Sequence, residues 1–230
     1  IEPEVKDLIK FLNTLGGKIE IIGRKILITG CKKIKKDINH EVIFDRIELG
    51  TYMIAAALVG KKIIFNKIDT KIIQNEINVL KKMGVKLKSK KSIIEIFKSN
   101  NIKKINLSTK PYPGFPTDLQ AQFMVLMCKA NGKSSITENI FQSRFMHVME
   151  LQRLGAKISI KNSKATIEGN TDFIGAEVMS SDLRASAALV LAAMVAKGES
   201  IISRVYHIDR GYENIEKKLK KIGVNIKRIS

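Results

Sequence analysis

Four times along the chain an amphipathic stretch closes on the same pattern: Leu12-Asn13-Thr14-Leu15-Gly16, Leu80-Lys81-Lys82-Met83-Gly84, Leu151-Gln152-Arg153-Leu154-Gly155 and Leu219-Lys220-Lys221-Ile222-Gly223. The copies recur at intervals of roughly 70 residues, the signature of a structural repeat. After each glycine the periodicity changes to strict alternation, in Lys18-Ile19-Glu20-Ile21, Lys86-Leu87-Lys88, Lys157-Ile158-Ser159-Ile160 and Asn225-Ile226-Lys227. Alternation predicts half-buried strands, and a glycine supplies the left-handed residue on which helices end. The repeated unit is therefore helix, glycine stop, strand.

A second recurring element opens on an acidic residue and closes on a glycine: Asp45 to Gly60, Asp118 to Gly132, and Asp182 to Gly198. These runs predict helices. The stretch Leu183-Arg184-Ala185-Ser186-Ala187-Ala188-Leu189-Val190-Leu191-Ala192-Ala193-Met194-Val195-Ala196 is apolar on nearly every side, which places it in the interior. Stretches such as Glu213 to Lys221 carry charge on one face and are outer helices. With a preceding strand each unit reads βαβαββ, and three such modules span about residues 44 to 230. Residues 1 to 30 hold only the outer helix and hairpin of another module. That incomplete opening, with Ile1 where a Met would begin a gene product, leads us to expect a chain that starts inside a larger protein.

The 230 residues, 44% of them hydrophobic, are enough for a substantial core. No apolar stretch reaches the roughly 20 residues of a membrane span, and no signal peptide opens the chain, so a soluble cytoplasmic protein is expected, without membrane partners. Cys31 and Cys128 stand far apart with no CxxC spacing or His cluster, and neither a metal site nor a disulfide is indicated. An excess of 41 Lys+Arg over 22 Asp+Glu gives +19, a charge that rewards polyphosphate partners. Here the cations are mostly Lys, scattered in pairs such as Lys32-Lys33, Lys61-Lys62 and Lys217-Lys218, with little aromatic interleaving to stack bases. The abundance of Ile and Lys together fits a biased codon supply, and no nucleic-acid partner is expected.

Five segments carry more specific information: Asp45-Arg46-Ile47-Glu48-Leu49-Gly50-Thr51; Phe115-Pro116-Thr117-Asp118-Leu119-Gln120-Ala121-Gln122-Phe123; Arg144-Phe145-Met146-His147-Val148; Ser181-Asp182-Leu183-Arg184-Ala185-Ser186-Ala187; and Tyr206-His207-Ile208-Asp209-Arg210-Gly211-Tyr212-Glu213. In this order and spacing the chain resembles the UDP-N-acetylglucosamine enolpyruvyl transferases from Glu2 to its end. The resemblance implies the α/β class, as an inside-out α/β barrel of βαβαββ modules with buried central helices. Residues 1–43 would close an N-terminal domain and 44–230 would form most of the catalytic domain. It also implies transfer of the enolpyruvyl group of phosphoenolpyruvate to the 3-hydroxyl of UDP-N-acetylglucosamine, the first committed step of peptidoglycan synthesis, without metal or cofactor. The related 5-enolpyruvylshikimate-3-phosphate synthases share the architecture with different phosphate-binding loops. An alternative of another class is a basic RNA-binding repeat protein, related in architecture to RNA 3′-phosphate cyclases.

By the resemblance, Asp118 contacts the sugar hydroxyl and is the candidate base, while read from the residues alone Thr117-Asp118 before an apolar run is an ordinary helix cap. Asp182 after Ser181 carries the same two readings. Arg144, Arg184 and Arg210 precede or open helices, and guanidinium forks suit carboxylate and phosphate, so they are assigned to a phosphoenolpyruvate and phosphate cradle; the competing reading is a surface ion pair. Ile140 corresponds to a residue lining the nucleotide site, or is simply core. His40, His147 and His207 stand alone and are read as structural, as is Cys128. The family's proton-donating cysteine and a Lys-Asn pair belong to the N-terminal half, so the catalytic acid is expected to lie outside this chain.

Overall fold

The computed structural model describes residues 1–31, 33–35 and 37–229; Lys32 of the Lys32-Lys33 pair and Ser230 lie outside them. The chain opens with helix α1 (Pro3–Thr14) and an antiparallel hairpin of β1 (Lys18–Ile22) and β2 (Lys25–Thr29). Then come α2 (Arg46–Val59), β3 (Lys62–Asn66), α3 (Gln74–Lys82), β4 (Leu87–Lys90) and β5 (Ile93–Phe97), the strands pairing in the order β3-β5-β4. Next are β6 (Ile102–Lys103), β7 (Asn106–Ser108), a 3₁₀ turn at Thr117–Leu119, α4 (Gln120–Cys128), β8 (Ala130–Asn131), β9 (Ser134–Thr137), α5 (His147–Arg153), β10 (Ile158–Lys161) and β11 (Lys164–Ile167). Their main sheet has the order β10-β11-β9-β7, with β7 parallel to β9. The chain finishes with β12 (Glu177–Met179), α6 (Leu183–Ala193), β13 (Ile201–Ser203), α7 (Tyr206–Asp209) and α8 (Ile215–Lys221); β12 and β13 are parallel.

The middle stretch, β7 to β11, shows all six elements of a βαβαββ module. The one before it lacks a leading strand. The one after it lacks the closing ladder: a strand is expected at 225–227, and Val224 and Ile226 do turn inward against the core, but among the described residues no strand pairs with them. Arg228 there is held instead by Asp209 and Glu216 on the outer helices.

The inside-out arrangement follows from composition. Helices α2, α4 and α6 lack a polar face, so they pack on one another at the centre while sheets and charged helices cover them. Every residue of α4 is buried. At about 1.5–3 kcal/mol for each large apolar side chain removed from water, the cluster around Met53, Phe123 and Leu189 accounts for much of the driving force. Among the described residues no helix is long and apolar enough to cross a membrane.

The repeated glycine stop is one hydrogen-bonding device used four times. Gly16, Gly84, Gly155 and Gly223 all have positive φ, between 78° and 110°. In each case the glycine N–H bonds the carbonyl three residues back and the next N–H bonds the repeat leucine: Gly17 to Leu12 (3.0 Å), Val85 to Leu80 (3.0 Å), Ala156 to Leu151 (3.0 Å), Val224 to Leu219 (3.2 Å). This paired closure satisfies carbonyls that a helix end otherwise leaves open, and it turns the chain into the following strand.

Two predicted helices end early. The run expected to Gly132 stops at Cys128 because the N–H groups of Thr171 and Asn170 take the carbonyls of Cys128 (2.8 Å) and Ala130 (2.9 Å), diverting them from a further helical turn. The run expected to Gly198 stops at Ala193, before Lys197 docks on Phe173 (2.8 Å). Gly169 and Gly175 make these dockings possible: a Cβ on Gly169 would overlap the carbonyl oxygen of Ala130, and one on Gly175 that of Glu199. In thermal unfolding of the chain, Gly169→Ala is therefore expected to cost about 3 kcal/mol or more. Gly30→Ala, where an added Cβ meets nothing within 4 Å, is expected to cost less than about 0.5 kcal/mol. Equal costs at the two sites would show that the close approach does not constrain the fold.

Candidate active site

Pro116 leads the chain into the 3₁₀ turn, and Asp118 sits within that turn rather than at the start of α4, whose first position receives no side-chain cap. Its carboxylate is free for other partners. Oδ1 accepts from Arg144 Nη2 at 2.6 Å, and Oδ2 accepts from Arg184 Nη2 at 3.0 Å. Arg144 arrives from the loop before α5 and Arg184 from the first turn of α6, so three separate segments meet at one carboxyl group.

Burial alone would push the Asp118 carboxyl upward, but the two guanidinium groups outweigh it and hold it below the ordinary 3.8. For Arg184 burial pulls the other way, and Asp118 outweighs it, keeping the guanidinium protonated. One negative and two positive charges leave the cluster with a formal excess of one positive charge. Asp118 and Arg184 line a cleft of about 830 Å³ whose other walls include Glu4, His40, Asp45 and Arg46. The paired guanidinium groups can meet an anionic group at this point, while Glu2, Glu4, Asp7 and Asp45 make the other walls of the cleft acidic.

Asp182 plays the part that Asp118 does not. Its Oδ1 accepts from the backbone N–H of Arg184 (2.8 Å) and Ala185 (2.9 Å), capping α6, as Asp45 caps α2. Ile140 follows β9, partly exposed, and its N–H is bonded by Glu138 Oε1 at 2.8 Å. Arg210 lies exposed just past α7, and no hydrogen bond or ion pair among the described residues joins it to Asp118. The fold thus gathers Asp118, Arg144 and Arg184, attaches Ile140 indirectly, turns Asp182 to capping, and leaves Arg210 apart.

Two residues of this neighbourhood were given no role in the sequence analysis, although Tyr212 lies within one of its five segments. Tyr212, fully buried, bonds Thr51 of α2 through its hydroxyl (2.8 Å) and receives Gln122 of α4 (3.4 Å), tying two central helices together below Arg184. Because the Thr51 hydroxyl donates to the Ile47 carbonyl, the Tyr212 hydroxyl is the donor to Thr51. Glu138 is buried and held by four donors. A carboxylate with no charged neighbour in sequence offers nothing to distinguish it from surface glutamates.

The remaining titratable groups are structural in their surroundings. His147 is buried and pushed down to about 4 by loss of solvent, so it is neutral. His40 bonds Asp7 at 3.2 Å. Burial pushes the Cys128 thiol up to about 12, while Cys31 is exposed. Among the described residues no three or more His, Cys, Asp or Glu gather as a metal site.

The geometry can be set beside known proteins. The family model described as EPSP synthase (3-phosphoshikimate 1-carboxyvinyltransferase) matches residues 1–219. A UDP-N-acetylglucosamine 1-carboxyvinyltransferase of Pelagibacter ubique is 57% identical over all of this chain and 55% of its own length. That of Koribacter versatilis is 49% identical over 99% of this chain and 53% of its own length. Among solved structures, the enolpyruvyl transferase NikO from Streptomyces tendae superposes with a TM-score of 0.89 at 25% identity, covering 99% of this chain and 55% of NikO. EPSP synthase from Acinetobacter baumannii, at 20% identity and a TM-score of 0.76, shares the fold over 96% of this chain and 55% of its own. The chain spans about half the length of the curated relatives it matches. Its repeated modules, its central helices and nearly its whole length fall within one family, and the chain belongs to the enolpyruvyl transferases.

Proposed function

We propose that this chain, as part of a complete protein, transfers the enolpyruvyl group of phosphoenolpyruvate to the 3-hydroxyl of UDP-N-acetylglucosamine and releases phosphate, the first committed step of peptidoglycan synthesis in the cytoplasm. The observation that carries this reading is the Asp118 carboxylate held between Arg144 and Arg184 at the cleft. Residues 44–230 form most of the catalytic domain, and residues 1–43 close a domain completed by an N-terminal half. No metal or cofactor takes part. The shikimate-pathway activity is the second reading, disfavoured because the close relatives carry the sugar-nucleotide name at 57% and 49% identity whereas the EPSP synthase structure stands at 20%.

The chemistry follows from charge. As the sugar oxygen attacks C2 of phosphoenolpyruvate, Asp118 takes the hydroxyl proton and an acid outside this chain protonates the methylene carbon; the C–O bond to phosphate then breaks as a proton leaves the new methyl group, which restores the carbon–carbon double bond. Arg144 and Arg184 hold the carboxylate and phosphate of the donor, with Arg210, which stands apart from them in this structure, as the third member of the cradle. Asp182 keeps α6 aimed at the site, and Ile140 lines the nucleotide. A carboxylate clamped by two guanidiniums is ionised at neutral pH but weakly basic. When the donor's anionic groups share those guanidiniums the clamp loosens and Asp118 becomes a better base, so binding of one substrate prepares deprotonation of the other.

Three outcomes are expected. The 230-residue chain alone gives no sustained phosphate release with UDP-N-acetylglucosamine and phosphoenolpyruvate, because it lacks the acid; turnover by the chain would place that acid within it. In the complete protein Asp118→Asn lowers the kcat of the folded enzyme about 10²–10⁴-fold, and the thermal midpoint falls as well because the variant strands the Arg144 and Arg184 guanidiniums. A near-normal kcat would move the base elsewhere, with Asp182 next. Finally, RNA and DNA bind weakly and dissociate as salt rises toward 0.15 M, where exposed charges are screened beyond about 8 Å; selective binding that survives there would restore the nucleic-acid reading.

A further inference from the structure

Glu138 directly follows β9 and is only 3% exposed, and its carboxylate has no ion-pair partner among the described residues. Four hydrogen bonds hold it instead. Oε1 accepts from the Thr109 hydroxyl (2.8 Å), the Ile140 N–H (2.8 Å) and the Phe141 N–H (3.2 Å), and Oε2 accepts from the Thr117 hydroxyl (2.8 Å). Burying a carboxylate this way is costly unless every lone pair is used, so the arrangement is a built one.

The direction of these bonds matters. An ionised carboxylate only accepts, so Thr117 must spend its single proton on Glu138. The Thr117 oxygen can then only accept from any other partner, and Arg144 Nη1 donates to it at 3.0 Å while Nη2 of the same guanidinium donates to Asp118. The second arm runs through the backbone. By holding the N–H groups of Ile140 and Phe141, Glu138 fixes the loop so that the Phe141 ring lies 5.0 Å from the Arg144 Cζ, within reach of a cation–π contact. Both arms end on Arg144.

We propose that Glu138 is the positioning residue for Arg144, fixing the guanidinium through the Thr117 hydroxyl on one side and the Phe141 ring on the other, and coupling it to the Ile140 loop. What Arg144 then does for the donor rests on the proposed function; that Glu138 sets its place does not. The same carboxylate fixes both the loop read as lining the nucleotide and the guanidinium read as cradling the donor, so the two substrates share one support. Glutamine cannot replace it without loss. Its amide must turn NH₂ toward Thr117 to keep the oxygen on the two backbone N–H groups, which leaves the Thr117 proton without its acceptor and gives that oxygen two donors.

Two measurements separate positioning from function. In the chain labelled with ¹⁵N-arginine, the Arg144 Nη signals, assigned by their loss in Arg144→Lys, are expected to be resolved in the wild type and averaged by free rotation in both Glu138→Gln and Thr117→Val. If Glu138→Gln does not fold, the partly exposed Thr117→Val carries the test, and Thr117→Ser, which keeps the hydroxyl, regains most of the resolution. Unchanged Arg144 signals in the folded variants would overturn the proposal. In the complete protein, kcat/KM for phosphoenolpyruvate is expected to fall about 10–100-fold in each single variant, with the double variant no worse than the weaker single, because both cut one path. Fully additive losses would also overturn it. If the wild-type protein does not turn over the two substrates while the Arg144 signals respond as stated, the proposed function fails and the positioning stands.

Discussion

The contact of one carboxylate with two guanidinium groups sets the terms for this molecule. Asp118 meets an arginine 26 residues away and another 66 residues away, and both bonds require that the entry to α4, the loop before α5 and the first turn of α6 arrive at one point. Half-buried charges of this kind are tolerated only while their partners stay in place, since removing one partner strands the other. The all-apolar helices supply that constancy. With no polar face, α4 and α6 have no freedom to roll toward solvent, and the Tyr212 hydroxyl fixes α2 against α4 beneath the cluster. Packing here serves electrostatics: the core exists in a form that brings helix starts together, and the charges occupy the place so created.

What was legible in the sequence is whatever depends on neighbours along the chain. The leucine-to-glycine stops appear as four identical closures, and Asp45 and Asp182 cap the helices that follow them. Thr117-Asp118 looks the same as those caps in sequence, yet Pro116 and the 3₁₀ turn displace Asp118 from the capping position, and the partners that claim its carboxylate are remote. Helix ends were over-read for a similar reason, because the N–H groups of residues 170 and 171 reach back to carbonyls some 40 positions earlier. Glu138 was missed because two of its four partners are backbone amides, which every sequence has. The strand expected at 225–227 keeps its inward alternation without a ladder: side-chain pattern is local, while strand pairing needs a second strand.

The charge of +19 is an excess that the acidic residues cannot pair, and only some of the cations have carboxylate partners. Lys62 pairs with Glu95, Lys218 with Glu48, and Arg228 with Asp209. Apolar exposure is instead concentrated in the opening hairpin, where Ile22, Leu27 and Ile28 face outward. The chain therefore combines a solvated Lys-rich exterior with an apolar hairpin and a cleft of mixed charge, three surfaces with different demands.

The close dockings at Gly169 and Gly175 bear on how freely such a sequence can drift. A sequence so rich in Lys and Ile has been free to take them up on its surface, where a changed side chain meets no neighbour. Every single-base change in a glycine codon that is not silent and not a stop introduces at least a Cβ, so at these two junctions no small step is available. The genome can rewrite the exterior of this fold residue by residue while the seams between its modules remain fixed by the absence of one carbon atom.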